Sequence, residues 1–97
     1  MTFIQIIEFK TSKIDEVEAV ASEWEKATEG KRKTDRRVIC ADRDNPGRYF
    51  NIVLFPSYED AMENSALPET DALSKKLAAL CDGPPSFYNL DAIDERL

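Results

Sequence analysis

The segment RRVICADRDNPGRYFNIVLF, residues 36–55, decides the fold of this chain. It contains two runs of β-branched and aromatic residues, at 36–42 and 48–55, and such runs predict strands. The residues between them, 43–47, include Asx, Pro and Gly types, which form turns because they hydrogen-bond their own backbone, fix φ or tolerate positive φ. The segment therefore predicts a β-hairpin in the middle of the chain.

A strand and a helix are predicted before the hairpin. Residues 2–9 have the composition of a strand. Ser12 followed by Asp15 resembles a capping box, in which a hydroxyl satisfies a free amide at the start of a helix. Apolar residues then recur through residues 14–27 with the spacing of one helical face. We expect Gly30 to end this helix.

Helical signals and a last strand follow the hairpin. Ser57 with Asp60 repeats the pattern of a cap and an acid, which predicts the start of a helix. Pro68 suits the first turn of a further helix, so the second helical region is expected to break near Leu67-Pro68. Residues 87–93 predict a fourth strand. The order β-α-β-β-α-β predicts one ferredoxin-like α+β domain over the whole chain, with helices on one face of a four-stranded antiparallel sheet.

The composition narrows the classes of partner. The chain has 97 residues and a formal net charge of −6 at pH 7, which repels phosphate backbones and anionic lipid, so we expect neither nucleic acid nor membrane as a partner. No run approaches the ~18 apolar residues of a membrane span, and a strand pattern rather than a signal peptide follows Met1. We therefore expect a cytoplasmic protein. Cys40 and Cys81 stand far apart and are expected to be buried free thiols.

Both faces of the predicted sheet are substantially apolar. The side chains of a strand alternate between the two faces, so Ile4 and Ile6 lie opposite Phe3 and Ile7. Helices on one side leave the other face in water, and soluble monomers rarely expose a wide apolar patch. We therefore expect a second copy to cover that face, which makes the protein a homodimer with the architecture of a dimeric α+β barrel.

One of the two faces mixes amides with aromatic side chains. It carries Gln5, Tyr49, Asn51 and Asn89 among Phe3, Val53, Phe55 and Phe87. Apolar walls with a few polar groups are typical of a pocket for a small, flat organic molecule. The alternative is that these amides hydrogen-bond one another and the backbone at the dimer interface. If that face packs on the partner, Val53→Asp should dissociate or unfold the protein.

The stretch FPSYEDAMENSALPE, residues 55–69, together with the order of elements, resembles the antibiotic biosynthesis monooxygenase (ABM) family of dimeric α+β barrels. Members typically carry an aromatic residue that closes strand three, a serine two residues on and an alanine in the next helix, and these fall on Phe55, Ser57 and Ala61. The resemblance implies an oxygenase that oxidises aromatic molecules with O2 and without a cofactor. In such members Asn, Trp and Tyr side chains hold the substrate and its developing anion.

The chain lacks the histidines that are typical of this family. Many members have one histidine where Asn64 stands and another near Pro68, whereas this chain contains no histidine. The haem-degrading branch uses an asparagine, a tryptophan and a histidine that fall on Ile7, Asn64 and Ser74. We therefore expect no haem of that kind, no metal and no other cofactor.

Three features have a structural alternative beside the functional one. Trp24 lies on the inner face of the first helix, either as a core anchor or as a platform for a substrate. Asn64 either caps a helix or donates to a ligand. The basic cluster over residues 31–37 forms either a solvated loop or an anion-binding mouth. The candidate substrate-binding residues are Gln5, Trp24, Tyr49, Asn51, Phe55, Asn64 and Asn89.

The sequence leaves two hypotheses about function. The first is an ABM-like, cofactor-independent monooxygenase that acts on a small aromatic or quinone-like molecule. The second is a non-catalytic dimeric barrel that binds a small ligand or a protein partner. Fold does not decide between them, because function resides in the site.

Overall fold

Seven elements follow one another along residues 2–34 and 36–96, the parts of the chain that the computed structural model describes. In chain order they are strand β1 (Phe3–Lys10), helix α1 (Ile14–Ala27), strand β2 (Arg36–Ala41), strand β3 (Arg48–Phe55), helix α2 (Tyr58–Ser65), helix α3 (Pro68–Leu80) and strand β4 (Ser86–Asp91). This order confirms the predicted β-α-β-β-α-β arrangement. The second helical region is divided into α2 and α3 at the predicted break.

The sheet is antiparallel throughout, with the strand order β2-β3-β1-β4. β1 lies in the interior of the sheet, where Phe3 is opposite Phe55 of β3 on one side and Asp91 of β4 on the other. β2 pairs with the far side of β3, where Arg36 is opposite Leu54. The two β-α-β halves are thus interleaved in one sheet, as the ferredoxin-like prediction requires.

The helices cover one face of this sheet. Ala61 of α2 forms a buried cluster with Phe3, Val53 and Phe55, so the side of the sheet that carries these residues faces the helical layer. We call the other side of the sheet the open face, because every one of its side chains is half-buried or exposed. Its apolar members are Ile4, Ile6, Val38, Cys40, Phe50, Ile52, Leu54, Tyr88 and Leu90.

The start of α1 differs from the prediction. Its N-cap residue is Lys13, whose side chain makes no capping hydrogen bond, and Ser12 does not cap the helix. The buried Thr11 organises this turn instead, because its hydroxyl accepts from the Lys13 N–H at 3.0 Å and donates to the Leu80 carbonyl at 2.6 Å. Thr11 rather than Ser12 orders this turn because the Thr11 hydroxyl also bonds Leu80, the last residue of α3. The spacing of residues near Ser12 does not reveal that contact.

The other helix ends follow their local signals with one exception. The Ser57 hydroxyl accepts from the Asp60 N–H at 3.1 Å and caps α2, as predicted. Pro68 occupies the first turn of α3. α1 ends at Ala27 rather than at Gly30, which has a φ of +82° in the turn that follows. The buried Thr28 closes the helix, since its hydroxyl donates to the Trp24 carbonyl at 2.6 Å.

Two further expectations concern burial. Cys40 and Cys81 are free thiols, as predicted, but both are half-buried rather than buried. Cys40 lies on the open face of the edge strand β2, where no helix covers it. Among the helices of residues 2–34 and 36–96, none is long and apolar enough to cross a membrane.

Candidate functional site

The face that mixes amides with aromatic residues is the one that meets the helices. Val53 and Phe55 are buried against Ala61 of α2, and the alternation of β3 places Asn51 on the same side. The alternative expected these amides to hydrogen-bond one another, as Gln5 and Asn89 do, and their place in a dimer interface stays a prediction.

Two asparagines on the helical side have an unpaired amide oxygen. Oδ1 of Asn51 and Oδ1 of Asn64 are buried and have no hydrogen-bond partner among the described residues. Asn64 is only 7 % exposed and follows Ala61 by one helical turn, so it lies on the side of α2 that faces the sheet. Leaving a buried polar group unpaired costs about 1–3 kcal/mol. A ligand that donates hydrogen bonds to these oxygens would recover that cost.

The remaining polar candidates of this face already have neighbours. Gln5 Nε2 donates to Asn89 Oδ1 at 3.3 Å across β1 and β4. Tyr49 stacks on Phe9 with the ring centroids 5.7 Å apart and an interplanar angle of 25°. Asn89 is exposed, because the helical layer does not extend over β4. The hydrogen bond between Gln5 and Asn89 is therefore exposed, whereas the amide oxygen of Asn51 on the same face is buried.

Trp24 and Phe55 occupy core positions. Trp24 is 8 % exposed, and its indole Nε1 donates to Thr70 Oγ1 at 3.1 Å, which ties α1 to α3. The Arg32 guanidinium lies 5.6 Å from the centre of its ring. Phe55 is buried against Phe3, with ring centroids 6.3 Å apart. These contacts favour the core-anchor alternative for Trp24 over a substrate platform.

The basic cluster is largely neutralised by acids of the helices. Lys31 Nζ lies 2.7 Å from Glu69 Oε2, and Arg37 Nη2 lies 2.8 Å from Glu25 Oε1. The hydrogen bond from Lys31 holds the pKa of Glu69 below its ordinary value. Because these cations already have carboxylate partners, the contacts do not support an anion-binding mouth in this cluster.

A charged network on the open face was missed by the sequence analysis. Arg48 Nε donates to Glu8 Oε2 at 3.1 Å, and Arg48 Nη1 donates to Asp42 Oδ2 at 3.3 Å. The Tyr88 hydroxyl donates to Glu8 Oε1 at 3.2 Å. The hydrogen bond from Arg48 lowers the pKa of Glu8 from its ordinary value. One signal was available in the sequence, since Glu8 continues a strand face that is otherwise occupied by isoleucines.

Two surface depressions lie outside the amide pair. An open groove of about 700 Å³ is lined by the β1–α1 turn and the β2–β3 turn, with Lys10, Ser12, Gly47 and Asp82 among its residues. A smaller depression of about 200 Å³ lies between α1 and α3 and includes Trp24. Neither Asn51 nor Asn64 is among the residues that line these two depressions. In the described ranges, no group of three or more His, Cys, Asp or Glu side chains is placed to hold a metal ion.

Comparison with known proteins identifies the fold. No family model and no curated protein matches this sequence. The structure is similar to a mutant of SnoaB, a cofactor-independent oxygenase from Streptomyces nogalater, with a TM-score of 0.82 and 16% identity over 97% of this chain and 95% of that one. It is also similar to a candidate antibiotic biosynthesis monooxygenase from Caulobacter crescentus, with a TM-score of 0.83 and 16% identity over 96% and 91% of the two chains. Rv0793 from Mycobacterium tuberculosis gives a TM-score of 0.80 and 14% identity over 98% of both chains.

The chain shares the fold of the ABM-like proteins. The alignments extend over nearly the full length of both partners, so the likeness covers the sheet and all three helices. This agrees with the resemblance noted in residues 55–69. At these identities the ABM-like fold is what the comparison establishes, and the chemistry must be argued from the site.

Proposed function

We propose that this protein is an ABM-like, cofactor-independent monooxygenase that acts on a small hydroxylated aromatic molecule. The observation that carries the proposal is the pair of buried amide oxygens, on Asn51 and Asn64, that have no partner among the described residues. Both oxygens are acceptors, Asn51 extends from the side of the sheet that faces the helices, and Asn64 belongs to α2, which packs on that side. A phenolic substrate offers the complementary donors on a flat apolar body.

The chemistry required of the protein is binding and orientation. In the reaction, the substrate is oxidised at a ring carbon, one atom of O2 becomes a carbonyl oxygen on that carbon, and the other leaves as water with two hydrogens from the substrate. Asn51 and Asn64 would accept hydrogen bonds from the phenol, and an amide N–H would stabilise the anion that develops when the substrate loses a proton. The chain has no histidine to act as a base, and an acidic substrate such as a phenol releases its proton without one.

A binding experiment tests the site. A panel of phenols and hydroquinones is screened by thermal unfolding and by Trp24 fluorescence. A ligand at a hundred times its dissociation constant should stabilise the folded state by about 2.7 kcal/mol. Asn51→Ala and Asn64→Ala should each weaken binding by roughly 1–3 kcal/mol. Asn45→Ala is the matched control. This exposed asparagine lies in the turn between β2 and β3, where its amide Nδ2 donates to Asp42 Oδ2.

Oxygen consumption separates the two functional hypotheses. If a bound phenol is oxidised, the rate of O2 uptake should exceed the background oxidation of the same compound and fall in both asparagine variants. If compounds bind but O2 uptake stays at background, the protein is a non-catalytic binding barrel. If no compound in the panel shifts the melting curve, the amide pair is not a ligand site and the proposal is wrong.

We also propose that the protein works as a homodimer. The open face carries a wide set of apolar side chains, of which Tyr88 is 46 % and Leu90 is 45 % exposed. Soluble monomers rarely keep such a contiguous patch in water. A second copy placed with its own open face against this one would cover both, in a two-fold arrangement.

A further inference from the structure

We propose that the groove at the end of the sheet binds a free α-amino acid with an uncharged side chain, whose carboxylate lies at Lys10 and whose ammonium lies at Asp82. This is the open groove of about 700 Å³ between the β1–α1 turn and the β2–β3 turn. Its volume lies in the range of pockets that hold small molecules. It would be a second binding site, separate from the phenol site proposed above, because neither Asn51 nor Asn64 lines it.

Backbone hydrogen bonds fix the walls of this groove. The Thr11 N–H donates to the Gly47 carbonyl at 3.0 Å, which joins the β1–α1 turn to the β2–β3 turn. The Asp82 N–H donates to the Lys10 carbonyl at 2.8 Å, which joins the segment after α3 to the end of β1. Three segments that are distant in the sequence are thus held together around the groove. A site whose walls are already ordered binds a ligand at a smaller cost in entropy.

Two of the four charged side chains that line the groove already have partners. The Arg48 guanidinium donates to Glu8 at 3.1 Å and to Asp42 at 3.3 Å. The Glu8 carboxylate accepts from Arg48 through one oxygen and from the Tyr88 hydroxyl through the other. These two side chains leave no free charge for a charged side chain of the ligand, and for this reason we assign an uncharged one.

The other two charged side chains, Lys10 and Asp82, have opposite charges and are both exposed. Neither makes an ion pair among the described residues, with each other or with a third group. Their backbones are hydrogen-bonded while their charged groups stay apart, which leaves space between an ammonium and a carboxylate. A free α-amino acid carries both charges in one small molecule, so it can make a charge-assisted hydrogen bond at each end of this space.

The surroundings of Lys10 favour the carboxylate of the ligand at that end. Lys10 lies opposite Arg48 in the register of the sheet, and like charges that face each other destabilise a strand pair. The exposed Ser12 hydroxyl also lines the groove and can donate to the same carboxylate. Among the described residues that line the groove, Asp82 is the only carboxylate without a cation partner, so it is the group that the ammonium would meet.

Chemical analogues of two amino acids test the assignment. The probes are L-glutamine and L-leucine, one with a polar and one with an apolar uncharged side chain. The N-acetyl form of each keeps only the carboxylate, and the amide form of each keeps only the ammonium. Each compound is titrated into the isotope-labelled full chain, and binding is followed by two-dimensional NMR through the amide signals of Thr11, Ser12, Gly47 and Asp82. At least one of the two amino acids should shift these signals with saturation, and its two analogues should bind about fivefold more weakly. L-glutamate, which has nearly the shape of L-glutamine and a charged side chain, should bind more weakly than L-glutamine.

Variants that remove one charge locate the two ends of the ligand. Lys10→Gln should raise the dissociation constant of the amino acid about fivefold and leave that of the amide form unchanged, because the amide form has no carboxylate. Asp82→Asn should likewise weaken the amino acid and leave the N-acetyl form unchanged. Both substitutions keep the backbone hydrogen bond between these two residues. Lys26→Gln, in the last turn of α1, and Asp91→Asn, at the far end of β4, are the matched controls and should leave binding unchanged.

Each outcome supports or overturns the assignment. Saturable binding of the amino acid that weakens in both Lys10→Gln and Asp82→Asn would support it. Equal binding of the N-acetyl form would indicate a site for anions, and equal binding of the amide form a site for cations, and either would overturn the assignment. Unchanged amide signals with both amino acids at high millimolar concentration would overturn it as well, as would binding that is the same in both variants as in the unaltered protein. Asn51→Ala should leave the amino-acid titration unchanged, so this site and the phenol site can fail independently.

Discussion

At the scale of single residues, Glu8 shows how a charge is accommodated on an apolar strand face. Its carboxylate accepts from Arg48 and Tyr88, which come from the two neighbouring strands, and the hydrogen bond from Arg48 lowers its pKa. Arg48 also lies over the Phe50 ring, with 5.0 Å between the guanidinium carbon and the ring centroid. One carboxylate thus links three strands at the end of the open face.

The lowered pKa of Glu8 predicts a stability that depends on acid. The folded-state pKa lies below the ordinary value of 4.5, so the stabilisation is fully present above that value and is lost as the pH falls through the folded-state pKa. Glu8→Gln should therefore lower the melting temperature near neutral pH and reduce its dependence on pH on the acid side. Glu18→Gln, at an exposed position of α1, is the control. Equal acid dependence in Glu8→Gln and the unaltered protein would contradict the assignment.

Trp24 gives a second prediction at this scale. Trp24→Phe removes the indole N–H that donates to Thr70, which should cost about 0.5–1.5 kcal/mol of unfolding free energy. Trp24 lies on α1 and its indole bonds Thr70 of α3. We therefore expect the affinity for phenols, measured by thermal shift, to stay unchanged in Trp24→Phe. Thr70→Val is the paired variant, and it should give a similar loss of stability. A large loss of affinity in Trp24→Phe alone would restore the platform interpretation.

At the scale of elements, α2 matters most for the site, because it carries both Ala61 of the buried cluster and Asn64. Ser57 begins this helix, and its hydroxyl satisfies the Asp60 N–H. Since α2 is only eight residues long, its cap contributes a large share of its own stability. The position of Asn64 above the sheet thus depends on a hydroxyl two turns earlier in the chain.

Removing the cap should disturb the helix and the site together. Ser57→Ala should cost about 0.5–2 kcal/mol in chemical denaturation, whereas Ser57→Thr should retain most of the cap. Hydrogen exchange of the first amides of α2 should accelerate in the alanine variant and not in the threonine variant. Identical exchange in the two variants would show that the cap does not hold this end of the helix.

At the scale of the whole molecule, the two faces of β3 have different roles. Val53 points to the helices and is buried, whereas Ile52 points to the open face and is half-buried. The interpretation that placed Val53 against a partner does not fit this arrangement. Adjacent residues of one strand therefore report on two different packing layers.

This difference predicts opposite outcomes for neighbouring substitutions. The unaltered protein should sediment at about twice 11.0 kDa. Ile52→Asp should yield a folded monomer with native circular dichroism, because the charge prevents packing of the open face. Val53→Asp should unfold the protein, because an unpaired buried charge costs several kcal/mol. An Ile52→Asp protein that still sediments as a dimer would contradict packing through the open face.

The absence of histidine carries a prediction about haem. In the resemblance to the ABM family, the haem-site positions of the haem-degrading branch fall on Ile7, Asn64 and Ser74. We expect protein purified after addition of haem to be colourless once gel filtration has removed unbound haem. A Soret band at stoichiometric occupancy would contradict this.

Local signals in the sequence determined the elements of this protein. The turn residues at 43–47 produce the hairpin, Ser57 begins α2, and Pro68 begins α3, because each acts on its own backbone or on residues a few positions away. Strand alternation named Asn51 as a candidate for the site, and the resemblance to the ABM family named Asn64. Neither could show that their oxygens lack partners, since that depends on how α2 lies over the sheet.

Only the tertiary structure decided which face of the sheet the helices cover. Strand alternation sorts residues into two faces, but both faces here are apolar, so hydrophobicity does not choose between them. The tertiary structure also decided two hydrogen-bonded pairs. Glu8 and Arg48 are 40 positions apart in the sequence, and Trp24 and Thr70 are 46 positions apart. Such contacts form only when elements that are distant in the sequence pack together. The sequence alone did not reveal them because a local pattern of residues contains no information on which distant elements become neighbours in the fold.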